Sequence, residues 1–264
     1  MTTDGDALFR AICEQPWEDT PRLVYADWLE ENGIYNGRKS HEAAVRAAYI
    51  RHEVAYARME KEAVAEHLKL MATAFAGYQD RWSKELPIIP GVKWAWSWDR
   101  GFVSVASASA RALIDRADQI FAAAPISVLQ VNRVTPKTFP SVLACEYLKR
   151  VEWFGPDGDI GGDDGVRRIA RCKNLRNLTH LILSNVGMTD AGMQFLAEAI
   201  VFDRLRTLHF GSNNVTDEGA YALLDSITLN ELKEIGWHPN PLTAVAVGAL
   251  RQRFHDSYTG TPDA

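Results

Sequence analysis

Leu178-Thr179-His180-Leu181-Ile182-Leu183 begins a phrase that the chain writes three times. It returns as Leu205-x-x-Leu208-x-Phe210-x-x-Asn213-x-Val215 and as Leu232-x-x-Ile235-x-Trp237-x-x-Asn240-x-Leu242, with starts 27 residues apart. A fixed period of this size is the mark of stacked supersecondary units, each too small to bury its apolar face alone. Alternation around Leu181, Leu208 and Ile235 predicts short strands, buried on one face. The punctuation Thr189-Asp190-Ala191-Gly192 and Thr216-Asp217-Glu218-Gly219 then precedes apolar segments at 193–200 and 220–224 that suit helices.

With these residues the ladder resembles the leucine-rich repeat, in the longer ribonuclease-inhibitor-like variety whose units alternate strand and helix. The resemblance implies an α/β fold, a short leucine-rich-repeat solenoid with parallel strands on the concave side and helices on the convex side. It also implies that Asn213 and Asn240 bond backbone groups at the bend.

Upstream, Ile126-x-x-Leu129-x-Val131 and Leu148-x-x-Val151-x-Trp153 read as two weaker strands, at intervals of 22 and then 30 residues to Leu178. That gives about five irregular repeats over 125–258, followed by a flexible tail at 259–264. The stretch Gly155-Pro156-Asp157-Gly158-Asp159-Ile160-Gly161-Gly162-Asp163-Asp164-Gly165 is rich in carboxylates, yet it lacks the ligand spacing and closing glutamate of a helix-loop-helix calcium site. It aligns with the later Val215-Thr216-Asp217-Glu218-Gly219 turn plus one extra residue, so a solvated turn is the expectation.

The N-terminal part reads as helices at 6–14, at 19–32 and from Ser40 past Met59, toward Leu68. Thr20-Pro21-Arg22-Leu23-Val24-Tyr25-Ala26-Asp27-Trp28-Leu29-Glu30-Glu31-Asn32-Gly33 has a cap, a first-turn proline and a terminal glycine. Together with Arg46-Ala47-Ala48-Tyr49-Ile50-Arg51 it resembles the repeat-companion domain of planctomycete proteins, over residues 4–53. The link at 34–41 and the long third helix depart from that pattern, and the resemblance carries no biochemical activity. A helical domain over 1–86 is expected, with Arg22 or Asp27 bonding to the third helix. Over 87–124 we expect a capping hairpin, with Trp94, Trp96 and Trp98 on one face and a turn at Asp99-Arg100-Gly101, then a helix with Leu113, Ile114, Ala117, Ile120 and Phe121 inward.

The chain has 264 residues, 47% of them hydrophobic and 24% charged, with a formal charge of −5. These values fit a globular protein and disfavour a polyanionic partner. Absence of a long apolar run or a leader-like N-terminus, and three widely spaced cysteines, Cys13, Cys145 and Cys172, lead us to expect a cytoplasmic protein without a membrane partner.

Taking positions between the inward residues as outward-facing gives columns of Val128, Arg150, His180, Thr207 and Glu234; Gln130, Glu152, Ile182, His209 and Gly236; and Asn132, Phe154, Ser184, Gly211 and His238. Arg150, Glu152, Phe154, His180, Ile182, Thr207, His209, Glu234 and His238 form the candidate interaction surface. Its mixed charge and exposed aromatic suit a protein or peptide. His180, His209 and His238 step diagonally by roughly 8 Å, too far to share a zinc ion. No phosphate loop, zinc-protease helix or nucleophile elbow is present. The expected function is therefore a non-enzymatic protein-interaction module without a cofactor. One alternative is an enzyme with a pocket between the helical domain and the tryptophan-rich hairpin, using His41, His52, Asp27 or Glu53. The other is a nucleic-acid-associated accessory protein, argued from the Lys and Arg residues of 38–84.

Overall fold

Apolar residues spaced for a helical face, and glycines where the chain must turn, account for most of the elements. The computed structural model describes residues 4–59, 71, 73–75, 77–95 and 97–256. The chain divides into two units, Met1–Ala106 with Asp118–Ser127, and Ser107–Ala117 with Val128–Ala264.

In the first unit, α1 (Asp4–Glu14), α2 (Asp19–Asn32) and α3 (Glu42–Tyr56) supply most of the core. Gly33 ends α2 in the left-handed region, φ 62°, and its N–H donates to Leu29 O at 2.9 Å. The link at 34–41 holds a hairpin of β1 (Ile34–Tyr35) and β2 (Arg38–Lys39), turning through Asn36 and Gly37 at φ 49° and 73°. Asn-Gly suits that turn because both positions need positive φ. The third helix stops at Tyr56, and its expected extension over 60–70 lies outside the described residues.

Further along are α4 (Tyr78–Ser83), β3 (Val92–Trp94) and a second hairpin of β4 (Trp98–Asp99) and β5 (Phe102–Val103). Arg100 and Gly101 turn it, as the Asp-Arg-Gly motif predicts. Trp98 packs against Tyr49 and Trp82 inside this unit, and the Trp94 indole donates to Pro87 O at 2.9 Å. Trp96 lies outside the described residues. Ile12, Ala26, Leu29, Ala47, Ile50 and Trp82 are buried together in one cluster. After β6 (Val105–Ser109), α5 (Ala110–Ala123) has non-helical angles at Arg116. One helical phase therefore does not run through it, and Ile114, expected inward, is exposed while Leu113 and Phe121 are buried.

The second unit strings β7 (Val128–Val134), β8 (Trp153–Gly158), β9 (His180–Ile182), β10 (Thr207–His209), β11 (Glu234–Gly236) and β12 (His255–Asp256) into a parallel sheet in chain order. Between strands come α6 (Phe139–Leu143), α7 (Asp163–Ala170), α8 (Asp190–Ala197), α9 (Asp217–Leu224) and α10 (Ala244–Arg253), and α7 to α10 pack side by side. Leu178, Leu181, Leu183, Leu205, Leu208, Phe210, Leu232, Ile235 and Trp237 are all buried. Strand β12 adds to β11 at the late end, which the sequence left to 244–254 alone. The expected tail at 259–264 lies outside the described residues.

The register corrects the early repeat. Phe154 pairs with Leu181 and Trp153 with His180, so Phe154 takes the inward place and is fully buried. The sequence-based strand 148-151-153 is aligned three residues too early. In the observed register Val151, Leu178, Leu205 and Leu232 are equivalent, as are Phe154, Leu181, Leu208 and Ile235, and the 27-residue period extends back one full unit.

Candidate functional site

Each strand of the ladder offers two side chains to the outward face. The first row is Trp153, His180, Thr207, Glu234 and His255; the second is Gly155, Ile182, His209 and Gly236. Arg150, which the sequence placed in the first row, sits instead in a 3-10 helix, Glu146–Arg150, with its guanidinium 4.8 Å from the Tyr147 ring centre. Trp153 holds that place, so the aromatic that this face offers is the half-buried Trp153 and not Phe154. A side chain at Gly155 would come within 3.0 Å of the indole and 3.3 Å of Ile182 Cβ. Glycine there makes room for the ring to lie across the strand beside Ile182.

His180 and His209 are half-buried, and both are held below the usual imidazole range, first by burial and against the pull of Glu234. His180 Nδ1 lies 2.8 Å from the Thr179 hydroxyl, which fixes the ring. Thr207 is buried and its hydroxyl donates to Glu234 Oε2 at 3.4 Å. Glu152 precedes the strand, and its carbonyl accepts the N–H groups of Thr179 and His180 at 2.8 and 2.9 Å. His238 is exposed beyond the strand end. This face is neutral near Trp153 and Ile182 and charged at Glu234, a mixture that can take up apolar and hydrogen-bonding groups together. Among the described residues no group of three or more His, Cys, Asp or Glu side chains is placed to hold a metal ion.

The turns behind the sheet are tied by a second ladder, formed by the Thr-Asp punctuation of the repeats together with Asp163, from the stretch expected to be a solvated turn. Asp163 accepts the N–H and hydroxyl of Thr189 at 2.8 and 2.6 Å; Asp190 does the same for Thr216 at 2.7 and 2.7 Å, and Asp217 for Thr243 at 2.8 and 2.6 Å. Each carboxylate begins one helix and holds the capping threonine of the next. Asn213 is buried and Asn240 half-buried; Asn213 Oδ1 accepts from Val186 N and Met188 N at 3.1 and 3.0 Å, and Asn240 Oδ1 accepts from Val215 N at 2.9 Å.

In the first unit a cavity of about 440 Å³ opens between the helices and the β4–β5 hairpin. Phe9, Tyr25, Trp28, Tyr35, Trp82, Trp98 and Phe102 line it, with Asp6, Asn36, Arg46 and Glu85 among its polar groups. None of His41, His52, Asp27 and Glu53 lines this cavity. Asp27 pairs instead with Arg51 at 2.7 Å, as does Glu30. Glu53 is pushed up to about 7 by burial and by Asp99, against the opposing effect of Arg46. Arg22 is fully buried, donates from Nη1 to Glu18 O at 3.2 Å, and is lowered to about 10 by burial. Around it in the companion-like motif Ala26 and Leu29 are buried, while Pro21, Leu23, Tyr25 and Trp28 are half-buried. Several arginines of the basic 38–84 span are neutralised: Arg51 as above, Arg58 by Asp19, and Arg81 by Glu42 at 3.3 Å.

Among the described residues no helix is long and apolar enough to cross a membrane. Comparison with curated proteins finds no match. A crystal structure of an internalin from Listeria monocytogenes str. 4b F2365 is similar over 53% of this chain and 49% of that one, at 12% identity and a TM-score of 0.26. The chain thus spans about half the length of that structure. The family described as "Leucine Rich repeat" matches residues 174–197 and 205–224. Those segments coincide with the 27-residue units seen in the sheet.

Proposed function

We propose that the chain is a non-enzymatic protein-interaction module that docks a protein or peptide on the outward face of its repeat sheet. The observation that carries this reading is the paired row of Trp153, His180 and Glu234 beside Ile182 and His209, a mixed surface displayed on rigid strands. Protein interfaces favour an aromatic anchor next to hydrogen-bonding groups. In this reading the ladder is a short solenoid of the ribonuclease-inhibitor-like variety, and residues 4–53 are a repeat-companion domain that accompanies it in a cytoplasmic scaffold.

Two features weigh against the alternatives. The acid-base residues that the sequence offered for an enzyme, His41, His52, Asp27 and Glu53, do not line the cavity. Arg51, Arg58 and Arg81 are engaged by carboxylates, which reduces the attraction of their span for nucleic acid.

Affinity capture from an extract of the native cell tests the docking face. The triple variant W153A/H180A/H209A is expected to lose the proteins that the unaltered chain retains, while E198A, away from the strands, keeps them. Equal capture by the triple variant, with an unchanged circular dichroism spectrum, removes the face from consideration.

A further inference from the structure

The cavity of the first unit is lined by a buried cation that has no ion-pair partner among the described residues. Arg46 is 5% exposed, and its guanidinium carbon lies 4.2 Å from the Trp82 ring centre, 4.8 Å from Phe102 and 5.2 Å from Trp98. Rings stacked on a guanidinium cover its faces and offset part of the cost of burying the charge. They do not use its N–H bonds, which lie in the guanidinium plane. Arg46 Nη1 has no hydrogen-bond partner, and no carboxylate among the described residues forms an ion pair with Arg46. Burial pushes its pKa down, as expected of a cation short of a counter-charge.

Trp82 Nε1, on the same cavity wall, is also buried without a partner. Arg46 and Trp82, whose side-chain nitrogens can only donate, both line a space of about 440 Å³ whose other walls carry aromatic and aliphatic side chains with Asp6, Asn36 and Glu85. Leaving buried donors unpaired costs roughly 1–3 kcal/mol each, more for a charged group. Glu85 is the nearest acidic lining group that Arg46 senses electrostatically, but its Oε2 accepts the Tyr35 hydroxyl at 2.6 Å.

We propose that this cavity is a binding site for a small monocarboxylate with a flat apolar body, its carboxylate bonded by Arg46 and Trp82 and its body stacked among the aromatic walls. A carboxylate matches the planar fork of a guanidinium. A volume of this size suits a small organic molecule, and the largely apolar lining disfavours a free phosphate dianion, whose desolvation costs more. The site lies within the first unit, and the proposal is independent of the docking face on the repeats.

Calorimetric titration of the full chain with phenylacetate and indole-3-acetate tests it, with phenylacetamide and inorganic phosphate as controls. At least one carboxylate is expected to bind saturably with one molecule per chain, phenylacetamide at least about 10-fold more weakly, and phosphate not at all, since a charge-assisted pair is worth about 1.5–3 kcal/mol. R46M is expected to abolish binding and R46K to weaken it about 10-fold. W82F keeps the ring and removes one N–H, and is expected to weaken binding roughly 3- to 10-fold, which keeps the test sound should the Arg46 variants fold poorly. Failure of both carboxylates to bind at millimolar concentration overturns the proposal; so does equal binding of phenylacetamide or phosphate, or undiminished affinity in folded W82F.

Discussion

Replacing Asn213 with alanine should cost the repeat unit more than the same change at Asn240, although the two occupy equivalent positions. Asn213 is 7% exposed and makes five bonds to backbone: it accepts from Val186 N and Met188 N and donates to Leu183 O, Phe210 O and Gly211 O. Phe210 O keeps the amide of Asn240, and Gly211 O keeps Asn185 N–H. Three buried groups, two N–H and one carbonyl, are left without a partner among the described residues. At roughly 1–3 kcal/mol for each, and with incomplete additivity, N213A should destabilise by about 3–6 kcal/mol. Asn240 is half-buried and its removal strands two groups rather than three, Val215 N and Trp237 O, both on buried residues, so a smaller loss of about 2–4 kcal/mol is expected. Because the chain has two units, a single denaturation midpoint would mix their transitions. Hydrogen exchange read on peptides covering 178–242 isolates the repeats. Equal losses of protection in the two variants, or a larger loss in N240A, would refute this accounting.

Two glycines should respond in opposite senses. At Gly211 a methyl group would overlap the backbone carbonyl of His238, so G211A should lower repeat stability by about 2–4 kcal/mol; at Gly248, inside α10, nothing lies within 4 Å and G248A should raise it by about 0.5–1 kcal/mol. Exchange protection of the repeat peptides ranks both. Asp217 gives a pH dependence, because the Thr243 hydroxyl and N–H donate to its carboxylate and hold it below the ordinary value of 3.8. A carboxyl lowered in the folded state stabilises it above the ordinary value and stops doing so as pH falls through the folded value. Amide protection at the start of α10 should therefore weaken on acidification below about pH 4 and do so less in D217N; identical profiles would show that the contact carries no linkage.

The ladder was legible because its inward residues recur at 27 without interruption from Leu178 onward. The unit before it was misread for a local reason. Trp153 and Phe154 are adjacent aromatics, and hydrophobicity alone does not say which one faces the core. The sequence did contain a second marker. Gly165, Gly192 and Gly219 lie 27 apart, as do Asp163, Asp190 and Asp217, and counting from either set puts Phe154 opposite Leu181. Gly219 must be small because a Cβ would come within 2.5 Å of Asp190 Oδ1, so these glycines are as tied to the repeat as the leucines.

In the first unit, helix grammar from Asp19 to Gly33 marked α2 correctly to within a residue. The hairpin at 34–39 was passed over despite its Asn-Gly turn, being too short to show alternation. Arg46 was legible only as part of a helix. Its burial depends on Trp82, Trp98 and Phe102, which lie 36, 52 and 56 residues further along, and no local pattern reports such a convergence.

The aspartate-to-threonine joints give the repeat unit a fixed step for changing length. Each joint spans 26 residues, from Asp163 to Thr189, Asp190 to Thr216 and Asp217 to Thr243. Excising 27 residues, such as 190–216, would leave Asp163 against Thr189 and set Asp217 directly after Thr189 in the place of Asp190, still 26 residues before Thr243, with every joint of the same span. Removing 25 or 29 would set a carboxylate against the wrong residue and leave a helix start uncapped. An array bonded in this way can be shortened or extended only by whole copies, so its length is inherited as a count of units.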